Sequence, residues 1–408
     1  MARPNVTLTV VDDSIVIPTA EPPSPTIGLM ISHAIGATSF GGGLGIFGTT
    51  AEKALGYYLV ETPGDWVGRL QTFTQTEYNL GGASGLTFIA GNLKNNGVTF
   101  WTNEWYAVNN YLQYGSPCYV GFTSTTNTSG YESLNIDVAF AGVTAGNTKL
   151  IGYLNTKQDK DSPVFGVLAV TEPMITTIAS TITWSGAGVT LVGVNADTSP
   201  FVMAVYGEKN QLNLSGDADT FVKTILTPDV AGCFARTDRV SFPWISPAGT
   251  KRGQILNVVS LTKSLTDTEQ DYLYDNDINP IVTFPGEGTI LFGDKTYLVD
   301  NASTLDAVNV ARLVIYLRRV LGQLGRTILF EQNDSISRNR FLTSADAILR
   351  NIKAQSGVTD YKIVCDESNN PPSVVQARQF VADILIKAIP SINFIKITIT
   401  NKSLTATL

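Results

Sequence analysis

The sequence has very few of the side chains on which metal sites and catalytic triads are built. It contains a single histidine, His33, which excludes zinc and iron sites made of several imidazoles and leaves little basis for a Ser-His-Asp triad. Its cysteines, Cys118, Cys233 and Cys365, lie more than 100 residues apart and indicate neither a disulfide framework nor a metal knuckle. These scarcities exclude most of the familiar hydrolytic and metal-dependent chemistry.

Charged residues are scarce as well. They make up 15% of the chain, against roughly 25% in ordinary soluble domains. The 28 basic residues are outnumbered by 35 acidic ones, and the net charge of −7 provides no basic field that could hold a polyanion. Direct binding of nucleic acid is therefore not expected. Because weakly charged surfaces favour association, we expect copies of the chain or other partners to cover much of the surface.

Long apolar runs are also missing. No stretch approaches the 18 or more apolar residues that a membrane-spanning helix needs, so membrane insertion is not expected. Asp12 and Asp13 lie where the apolar part of a signal peptide would be. These features predict a chain that is made and kept in the cytosol.

The first residues show the pattern of a detached strand. Polar and apolar residues alternate over 5–10 and place Val6, Leu8 and Val10 on one face, which is typical of a half-buried strand. A proline-rich linker follows over 18–25. Such a strand pairs either with another chain or with the edge of its own domain, and both interpretations stay open.

The middle of the chain indicates an open α/β sheet. Residues 27–120 combine glycine and aromatic residues with short apolar runs, and the region near 120–160, rich in Ser, Thr, Asn and Gly, favours an exposed β-rich elaboration. Buried strands are predicted at 164–170, 189–194 and 201–206, and helices at 172–183 and 218–226.

The last hundred residues have the clearest periodicity. Ser303 and Asp306 form a capping box for a helix that is predicted to end at Gly325. The elements predicted after it are a strand at 327–330, a helix ending before Gly357, a strand at 361–365 and a helix ending at Pro390. The apolar faces of the three helices are Val310, Val314, Leu317, Leu321 and Leu324, then Phe341, Ala345, Ile348, Leu349 and Ile352, then Ala377, Phe380, Val381, Ile384 and Leu385.

The end of the sequence again alternates. Ile395, Ile397 and Ile399 are separated by Lys396 and Thr398, which is the pattern of a strand. Both ends of the sequence are therefore predicted to form strands.

One glycine motif points weakly to nucleotide chemistry. Gly43, Gly45 and Gly48 form a G-x-G-x-x-G loop of the kind that holds a pyrophosphate at a helix N-terminus. The buried strand that must precede such a loop is not evident. A flexible or close-packed glycine loop is the preferred interpretation, and a nucleotide-binding α/β enzyme is the remote alternative.

A second motif resembles the start of a calcium loop. Asp275, Asp277 and Asn279 offer alternating oxygen atoms, but Pro280 and Gly286 occupy the positions that need a turn glycine and a bidentate glutamate. A solvated turn is predicted instead of a metal site.

Basic residues in the last hundred positions are candidates for partner contacts. Arg318 and Arg319 lie on the first of the three C-terminal helices, and Arg378 and Lys387 lie on or near the third. They either solvate an exposed face or meet an acidic surface of a partner.

Seven blocks from residue 229 onward carry a resemblance to a known family. They are DVAGCFARTD (229–238), WISPAGTKRG (244–253), DYLYDNDINPI (271–281), FPGEGTILFGDKT (284–296), VNVARL (308–313), FEQND (330–334) and VCDESNNPP (364–372). In this order they resemble the contractile tail sheath family of bacteriophages and related injection machines. The first 225 residues match only loosely.

The resemblance implies a structural protein and not an enzyme, with no catalytic residue, no metal and no cofactor. Sheath subunits assemble as hexameric rings stacked in a helix around an inner tube, and their N- and C-terminal arms add strands to the sheets of neighbouring subunits. Contraction would be a switch between two packings of the same subunit. The implied partners are the chain itself, the tail tube protein, and baseplate and tail terminator proteins, in a virion whose tail is assembled in the host cytoplasm.

The resemblance also assigns residues of this sequence to these roles. Val6, Leu8 and Val10 are expected in the N-terminal arm strand, and Ile395, Ile397 and Ile399 in or beside the C-terminal one. Arg378 and Lys387 are expected to contact the tube from a C-terminal domain that lines the inner side. The sheath of a bacteriocin or of a secretion-type contractile injection system is the alternative to a phage tail.

The expected class is a multidomain α+β or α/β protein with mixed sheets and helices, a C-terminal α/β domain, and strand-forming arms at both ends. The expected divisions are an N-terminal arm and linker (1–25), an outer and central α/β region with the β-rich elaboration (26–255), a C-terminal sheath domain (256–390) and a C-terminal arm (391–408).

Overall fold

The structure is a computed structural model. It describes residues 10–11, 14–15, 26–31, 57–71, 87–89, 92–94, 100–121, 134–160, 162–171, 199–213, 220–298 and 304–393. The strands in these stretches are β1 (Val10–Val11), β2 (Ser14–Ile15), β3 (Gly28–Ile31), β4 (Tyr57–Val60), β5 (Thr87–Ile89), β6 (Asn92–Lys94), β7 (Cys118–Gly121), β8 (Val138–Ala141), β9 (Phe165–Val170), β10 (Val202–Tyr206), β11 (Glu208–Leu212), β12 (Phe221–Ile225), β13 (Ser260–Leu261), β14 (Ile278–Asn279), β15 (Ile281–Phe284), β16 (Gly288–Leu291), β17 (Val358–Val364) and β18 (Asp383–Ala388). The helices are α1 (Pro63–Gln71), α2 (Phe100–Leu112), α3 (Asn147–Asp159), α4 (Thr227–Val240), α5 (Asp267–Asp275), α6 (Val308–Ile328), α7 (Ser335–Ala354) and α8 (Pro372–Gln376).

A seven-stranded sheet is the centre of the fold. Its strand order is β14-β10-β9-β8-β3-β7-β4, and every neighbouring pair is parallel except β4 with β7. Parallel strands are covered by helices on both faces, so they contain continuous apolar runs. Every residue of β9 is buried, which confirms the strand predicted at 164–170.

Alternate residues of this sheet face two different core layers. In β10, Val202, Ala204 and Tyr206 join the layer that contains α3 and α5, whereas Met203 and Val205 join the layer that contains α2 and α4. This follows from the period of two in a strand. The result is a sheet between two layers of helices, as predicted for an open α/β sheet.

Four smaller sheets accompany the large one in the described chain, and one of them, β1-β2-β18-β17, is described below. Strand β11 pairs with β12 and β13, β15 pairs with β16, and β5 pairs with β6, all antiparallel. The described part of the predicted helix 218–226, residues 220–226, is therefore not helical, because β12 is the partner of β11 in a ribbon. Cross-strand pairing decides the structure there, since the short apolar run fits either period.

Helices α6 and α7 confirm two of the three predicted C-terminal helices. All five residues of the first predicted apolar face are buried on α6, and all five of the second are buried on α7. Apart from Val310, the residues of both faces belong to the same core cluster as α2 and α4. Local periodicity of 3.6 residues was sufficient to find them.

The third predicted helix is wrong. Helix α8 ends at Gln376, and Asp383–Ala388 form β18, which pairs antiparallel with β17. Ile384 is buried and the neighbouring Leu385 and Lys387 are exposed, so the segment follows the period of a strand. Its apolar residues also fit a helical face, and the partner strand β17 resolves the ambiguity.

The two ends of α6 also differ from the prediction. The segment at 327–330 is not a strand, because α6 continues past Gly325 to Ile328. The helix begins after Ala307, which provides no side-chain cap, and Asp306 lies in a 3-10 turn before it. The predicted capping box therefore does not start this helix.

The region expected to be a β-rich elaboration contains two main elements in its described part. Residues 138–141 form a buried central strand, and residues 147–159 form α3. Residues 122–133 lie outside the described residues, as do the predicted helix at 172–183 and strand at 189–194. The mixture of sheets and helices confirms the predicted α+β class. Among the described helices, none is long and apolar enough to cross a membrane.

Close packing of α4 on Tyr114 predicts a specific response to added volume. A Cβ at Gly232 would overlap the Tyr114 ring, whereas a Cβ at Gly152 of α3 meets nothing within 4 Å. We expect Gly232→Ala to destabilise the protein by about 1–3 kcal/mol through overpacking and Gly152→Ala to stabilise it by about 0.5–1 kcal/mol. Urea unfolding of both variants measures the difference, and equal effects would contradict this packing.

Candidate assembly site

A small antiparallel sheet near the C-terminus is the candidate assembly site. Its strand order is β1-β2-β18-β17. Tyr361 and Ile363 of β17 and Ile384 and Ile386 of β18 pack against the main core on one face. The other face is exposed to solvent and carries Lys387 among its charged residues.

The N-terminal hairpin is attached to this sheet by a short contact. In the hairpin, Val10 pairs with Ile15 and Val11 with Ser14, and a single register pair joins Ile15 to Ile384 of β18. Residues of a distant segment therefore extend the C-terminal sheet by addition of strands.

Only one of the six predicted arm residues falls within the described chain. Val10 lies in β1. The other five lie outside the described residues, and they are Val6, Leu8, Ile395, Ile397 and Ile399.

Arg378 ends α8 in a conformation that suits glycine. Its φ is 58°, in the left-handed region. The Arg378 N–H donates to the Val375 carbonyl and the Gln379 N–H donates to the Val374 carbonyl, both at 3.0 Å, which is the pattern of a Schellman cap. The side chain is exposed, and in the described part of the chain no ion pair holds it.

Lys387 lies on the exposed face of β18. It is opposite Asp360 in the register of β17. Asp360 accepts a hydrogen bond from Lys353 Nζ at 2.8 Å, which lowers the pKa of the Asp360 carboxyl, with a smaller contribution from Lys387. The two predicted tube contacts are therefore both at the surface of the C-terminal region.

Arg318 and Arg319 are instead bound within the chain. The buried Arg318 guanidinium lies 5.6 Å from the centroid of the Phe201 ring. Arg319 forms an ion pair with Asp137 and donates to the Ile136 carbonyl at 3.1 Å. These two side chains therefore hold α6 against the large sheet, with Arg318 buried and Arg319 28% exposed.

The first resemblance block, on α4, forms a buried ion pair. Lys209 Nζ donates to Asp229 Oδ1 at 2.8 Å and to the Leu256 carbonyl at 2.7 Å, and the Tyr114 hydroxyl donates to the same carboxylate oxygen at 3.1 Å. Burial raises the pKa of the Asp229 carboxyl, and Lys209 opposes that rise. Burial also raises the pKa of Tyr114, so its hydroxyl keeps its proton and remains a donor.

The same helix has a second buried ion pair at its other end. Asp238 Oδ2 accepts hydrogen bonds from Arg312 of α6 and from Thr26 Oγ1, each at 2.5 Å. The Arg312 guanidinium also lies 4.8 Å from the centroid of the Phe234 ring. Arg236, between the two carboxylates, donates to the Gln254 carbonyl at 2.8 Å. The block therefore connects the central region with the C-terminal helices.

Lys209 and Arg312 were not identified from the sequence as functional positions. Their partners lie 20 and 74 residues away, beyond any local pattern. One signal was present for Lys209: it alternates with Gln211 on the inward face of β11, where both are buried. A lysine at an inward position of a strand requires a buried anion.

The motifs that resembled chemical sites have structural roles or lie outside the described chain. Asn279 is buried in β14, where its Nδ2 donates to the Ala204 and Lys295 carbonyls at 3.0 and 2.8 Å, so the predicted solvated turn is wrong for this residue. Asp277 pairs with Lys295 at 3.4 Å. Among the described residues, no group of three or more His, Cys, Asp or Glu side chains could hold a metal. The glycine loop at 43–48 and His33 lie outside these residues.

The cysteines are buried free thiols. Burial raises the pKa of Cys233 to about 12 and that of Cys365 to about 11, and it also raises the pKa of Cys118. The reactive thiolate forms are therefore negligible at neutral pH.

Two family models match consecutive parts of the chain. The model of the phage tail sheath protein central domain matches residues 144–297. The model of the phage tail sheath C-terminal domain matches residues 300–402. Together they cover well over half of the sequence, including β17 and β18 of the candidate assembly site.

Two curated relatives are tail sheath proteins of phages. The protein of Vibrio phage KVP40 is 46% identical over 170 residues, which are 42% of this chain and 25% of that protein. The protein of Enterobacteria phage T4 is 37% identical over 224 residues, which are 55% of this chain and 34% of that protein. The chain thus spans about a quarter to a third of the length of these relatives.

Two solved structures share the fold over nearly the whole chain. One is the 6-fold symmetrised baseplate of the anti-feeding prophage, with a TM-score of 0.67, 15% identity, and coverage of 99% of this chain and 100% of that chain. The other is the sheath complex of the PVC extracellular contractile injection system in its contracted state, with a TM-score of 0.68, 15% identity, and coverage of 98% of both chains. At this identity the likeness concerns the fold alone.

The buried ion pair of α4 predicts an asymmetric response to removing a lysine. Lys209→Met leaves Asp229 buried without its cation, so we expect a loss of about 3–5 kcal/mol in the free energy of unfolding. Lys223→Met is the matched control in the same ribbon, because Lys223 is 55% exposed in its pair with Glu208, and we expect a loss below about 1 kcal/mol. Urea unfolding measures both variants, and similar losses would disprove the buried role of Lys209.

Proposed function

Because the chain belongs to the phage tail sheath family, we propose that it polymerises as stacked hexameric rings around an inner tube and contracts to drive that tube through the host envelope. Proteins of this family are structural and not enzymes, which removes the nucleotide-binding enzyme as an alternative. The proposed partners are the chain itself, the tube protein, and baseplate and tail terminator proteins. The proposed location is the tail of a virion, assembled in the host cytoplasm.

The attachment of the N-terminal hairpin to the C-terminal sheet carries this proposal. The hairpin contacts β18 through one register pair, and the ten-residue linker 16–25 that follows it reaches about 30 Å when extended. A neighbouring subunit within that distance can receive the same hairpin on the same edge. Exchange of an identical element between copies requires no new interface, because the contacts already exist within one chain.

The other edge of the C-terminal sheet offers a second position for an arm. Strand β17 ends the sheet, and no strand of the described chain pairs with its outer edge. We assign this edge to the C-terminal arm of a neighbour, whose strand would contain Ile395, Ile397 and Ile399. Each subunit would then give two arms and receive two, which links copies into a continuous mesh through main-chain hydrogen bonds.

Two similar solved structures support the proposed ring symmetry and contraction, because they share the fold of this chain. One comes from a 6-fold symmetrised baseplate and the other from a sheath complex in a contracted state. The same two structures favour a second candidate, the sheath of an extracellular injection system. Capsid genes beside the gene of this chain would identify a phage tail, and their absence would favour the second candidate.

The proposed division of the subunit has four parts. They are the N-terminal arm and linker (1–25), the outer and central region (26–255), the C-terminal sheath domain (256–390) and the C-terminal arm (391–408). The hydrogen bonds from Arg312 to Asp238 and from Arg319 to Asp137 cross between the second and third parts. These two parts would therefore move together, and the arms would move relative to them.

Removal of the N-terminal arm tests its proposed role. Deletion of residues 1–12 removes β1 and leaves the core intact, so we expect a folded subunit that forms no tubes. Negative-stain electron microscopy detects the tubes, and circular dichroism checks the fold. Val10→Ile, which keeps a β-branched residue in the strand, is the control and should form tubes normally. Normal tubes from the deletion would disprove the arm assignment.

Arg378 allows partner binding to be separated from folding. Arg378→Gly places glycine in the left-handed position that it prefers, so we expect the subunit to be as stable as the unmodified chain or slightly more stable. If Arg378 and Lys387 contact the tube, Arg378→Gly together with Lys387→Gln should weaken co-sedimentation with the tube protein, most clearly at low salt. Lys251→Gln, at another exposed position, is the control. Unchanged binding of the double variant would exclude both residues from the tube contact.

A further inference from the structure

The turn between α6 and α7 presents an exposed patch of apolar and basic side chains. We call Arg326, Phe330, Ile336 and Arg340 the basic turn patch. Phe330 is 87% exposed and Ile336 is 60% exposed, and both arginines are exposed. Within the described chain neither arginine has an ion-pair partner. Arg326 is in the last turn of α6, and Ile336 and Arg340 are four residues apart on one face of α7.

Phe330 is held in an unfavourable conformation within this patch. Its φ is 73°, a left-handed value that is rare for a bulky residue and costs free energy. The ring gains no packing in return, because it is almost fully exposed. An exposed aromatic ring in a strained turn beside unpaired arginines is typical of an anchor at a protein interface. One carboxylate, Glu331, is also exposed in the turn.

Helix α5 presents the opposite charge. Asp267, Asp271 and Asp275 are spaced four residues apart, so they form one row along the helix, and all three are exposed. We call them the acidic row. In the described chain none of them has an ion-pair partner. Like charges at this spacing repel each other, and an aspartate in the last turn opposes the helix dipole.

The acidic row and the basic turn patch lie at opposite ends of α6. Lys295 donates to the Tyr274 carbonyl of α5 at 2.9 Å, and its backbone forms a bridge with Ala307, immediately before α6. The acidic row is thus near the start of α6, and the patch is at its end. The helix has 21 residues and is therefore about 30 Å long, so the two charged surfaces cannot neutralise each other within one chain.

We infer that the acidic row of one copy binds the basic turn patch of another copy. The two surfaces have complementary charge, each is unpaired within its own chain, and the exposed apolar side chains of the patch supply contact area that charges alone lack. The contact is head to tail, because different surfaces meet, and such contacts extend into open assemblies. The inference rests on the proposed function in that it assumes the chain self-associates, and it adds a side-chain contact to the strand exchange between arms.

A second copy fits this patch better than a polyanion. The acidic chain itself, with a net charge of −7, supplies the carboxylates. Two exposed apolar anchors between the arginines suit a protein surface, whereas a nucleic-acid site would be lined mainly by basic side chains.

Charge reversal in the full-length chain tests the pairing. One variant carries Asp271→Lys and Asp275→Lys, a second carries Arg326→Glu and Arg340→Glu, and a third carries all four changes. Because the changes cancel, the third keeps the net charge of −7 of the original chain. Sedimentation velocity and light scattering at several salt concentrations measure self-association. Lys223→Glu with Lys251→Glu, both at exposed positions, is the control for a change in total charge.

We expect the first two variants to associate at least tenfold more weakly than the original chain at low salt, and the fourfold variant to recover most of the loss. The control should associate normally. Phe330→Gly removes the strained aromatic residue, so it should melt at the same or a higher temperature and still associate more weakly. This variant separates binding from folding if a charge reversal lowers stability.

Several results would overturn the inference. Normal association of both single-surface variants would exclude the contact and leave the proposed sheath function intact, since the arms would then suffice. Weakened association that the fourfold variant does not restore would show that the two surfaces do not bind each other. Loss of nucleic-acid or tube-protein binding with unchanged self-association would assign the patch to that partner. An original chain that never self-associates would disprove both the contact and the proposed function.

Discussion

Helix α4 must bury two carboxylates, and the surrounding elements are arranged around that requirement. Asp229 is paired with Lys209 of the β11–β12 ribbon, and Asp238 is paired with Arg312 of α6. A buried charge without its partner costs several kcal/mol, so neither the ribbon nor α6 can separate from α4 without a large loss of free energy. The helix also packs directly against the large sheet through residues such as Phe234, which contacts Phe165. The central and C-terminal regions therefore form one mechanical unit.

This arrangement gives the protein stiff and compliant parts. Buried ion pairs and interdigitated side chains hold the two-layered core, where small displacements break many contacts at once. The N-terminal hairpin is joined to the C-terminal sheet by a single register pair, Ile15 with Ile384. Under load, a lattice of such subunits would therefore deform at its arms and keep its subunits intact. The proposed contraction is a switch between two packings of rigid subunits. Such a switch requires stiff subunit bodies that are joined by deformable arms.

Local periodicity predicted the elements whose structure depends on nearby residues. The apolar faces of α6 and α7 repeat every three or four residues over more than four turns, and β9 is an uninterrupted apolar run between polar segments. Segments that depend on a distant partner were not predicted. Strand β18 has a short apolar run compatible with a helix, and its pairing with β17, about 20 residues earlier, determines its structure.

The candidate site was predictable only in part for the same reason. The alternating ends of the chain predict arm strands, and of the six residues assigned to them the described chain contains Val10 alone, in β1. The left-handed conformation of Arg378 could not be predicted, because the usual glycine is absent from that position. The ion pairs Lys209–Asp229 and Arg312–Asp238 were also not predicted, because ion pairing between residues that are far apart in the sequence leaves no periodic pattern.

The seven-stranded sheet and the sheet that ends in β17 differ in how their edges are protected. The seven-stranded sheet ends in β14, which has two residues, and in β4, which has four and runs antiparallel to its neighbour. Edges this short expose few unpaired backbone N–H and C=O groups with which a strand of another chain could pair. The seven-residue β17 is the longest strand at a sheet edge in the described chain. Off-pathway fibre formation would therefore be favoured most at the edge that the proposed arm exchange would occupy, so that correct assembly would also shield the chain from aggregation.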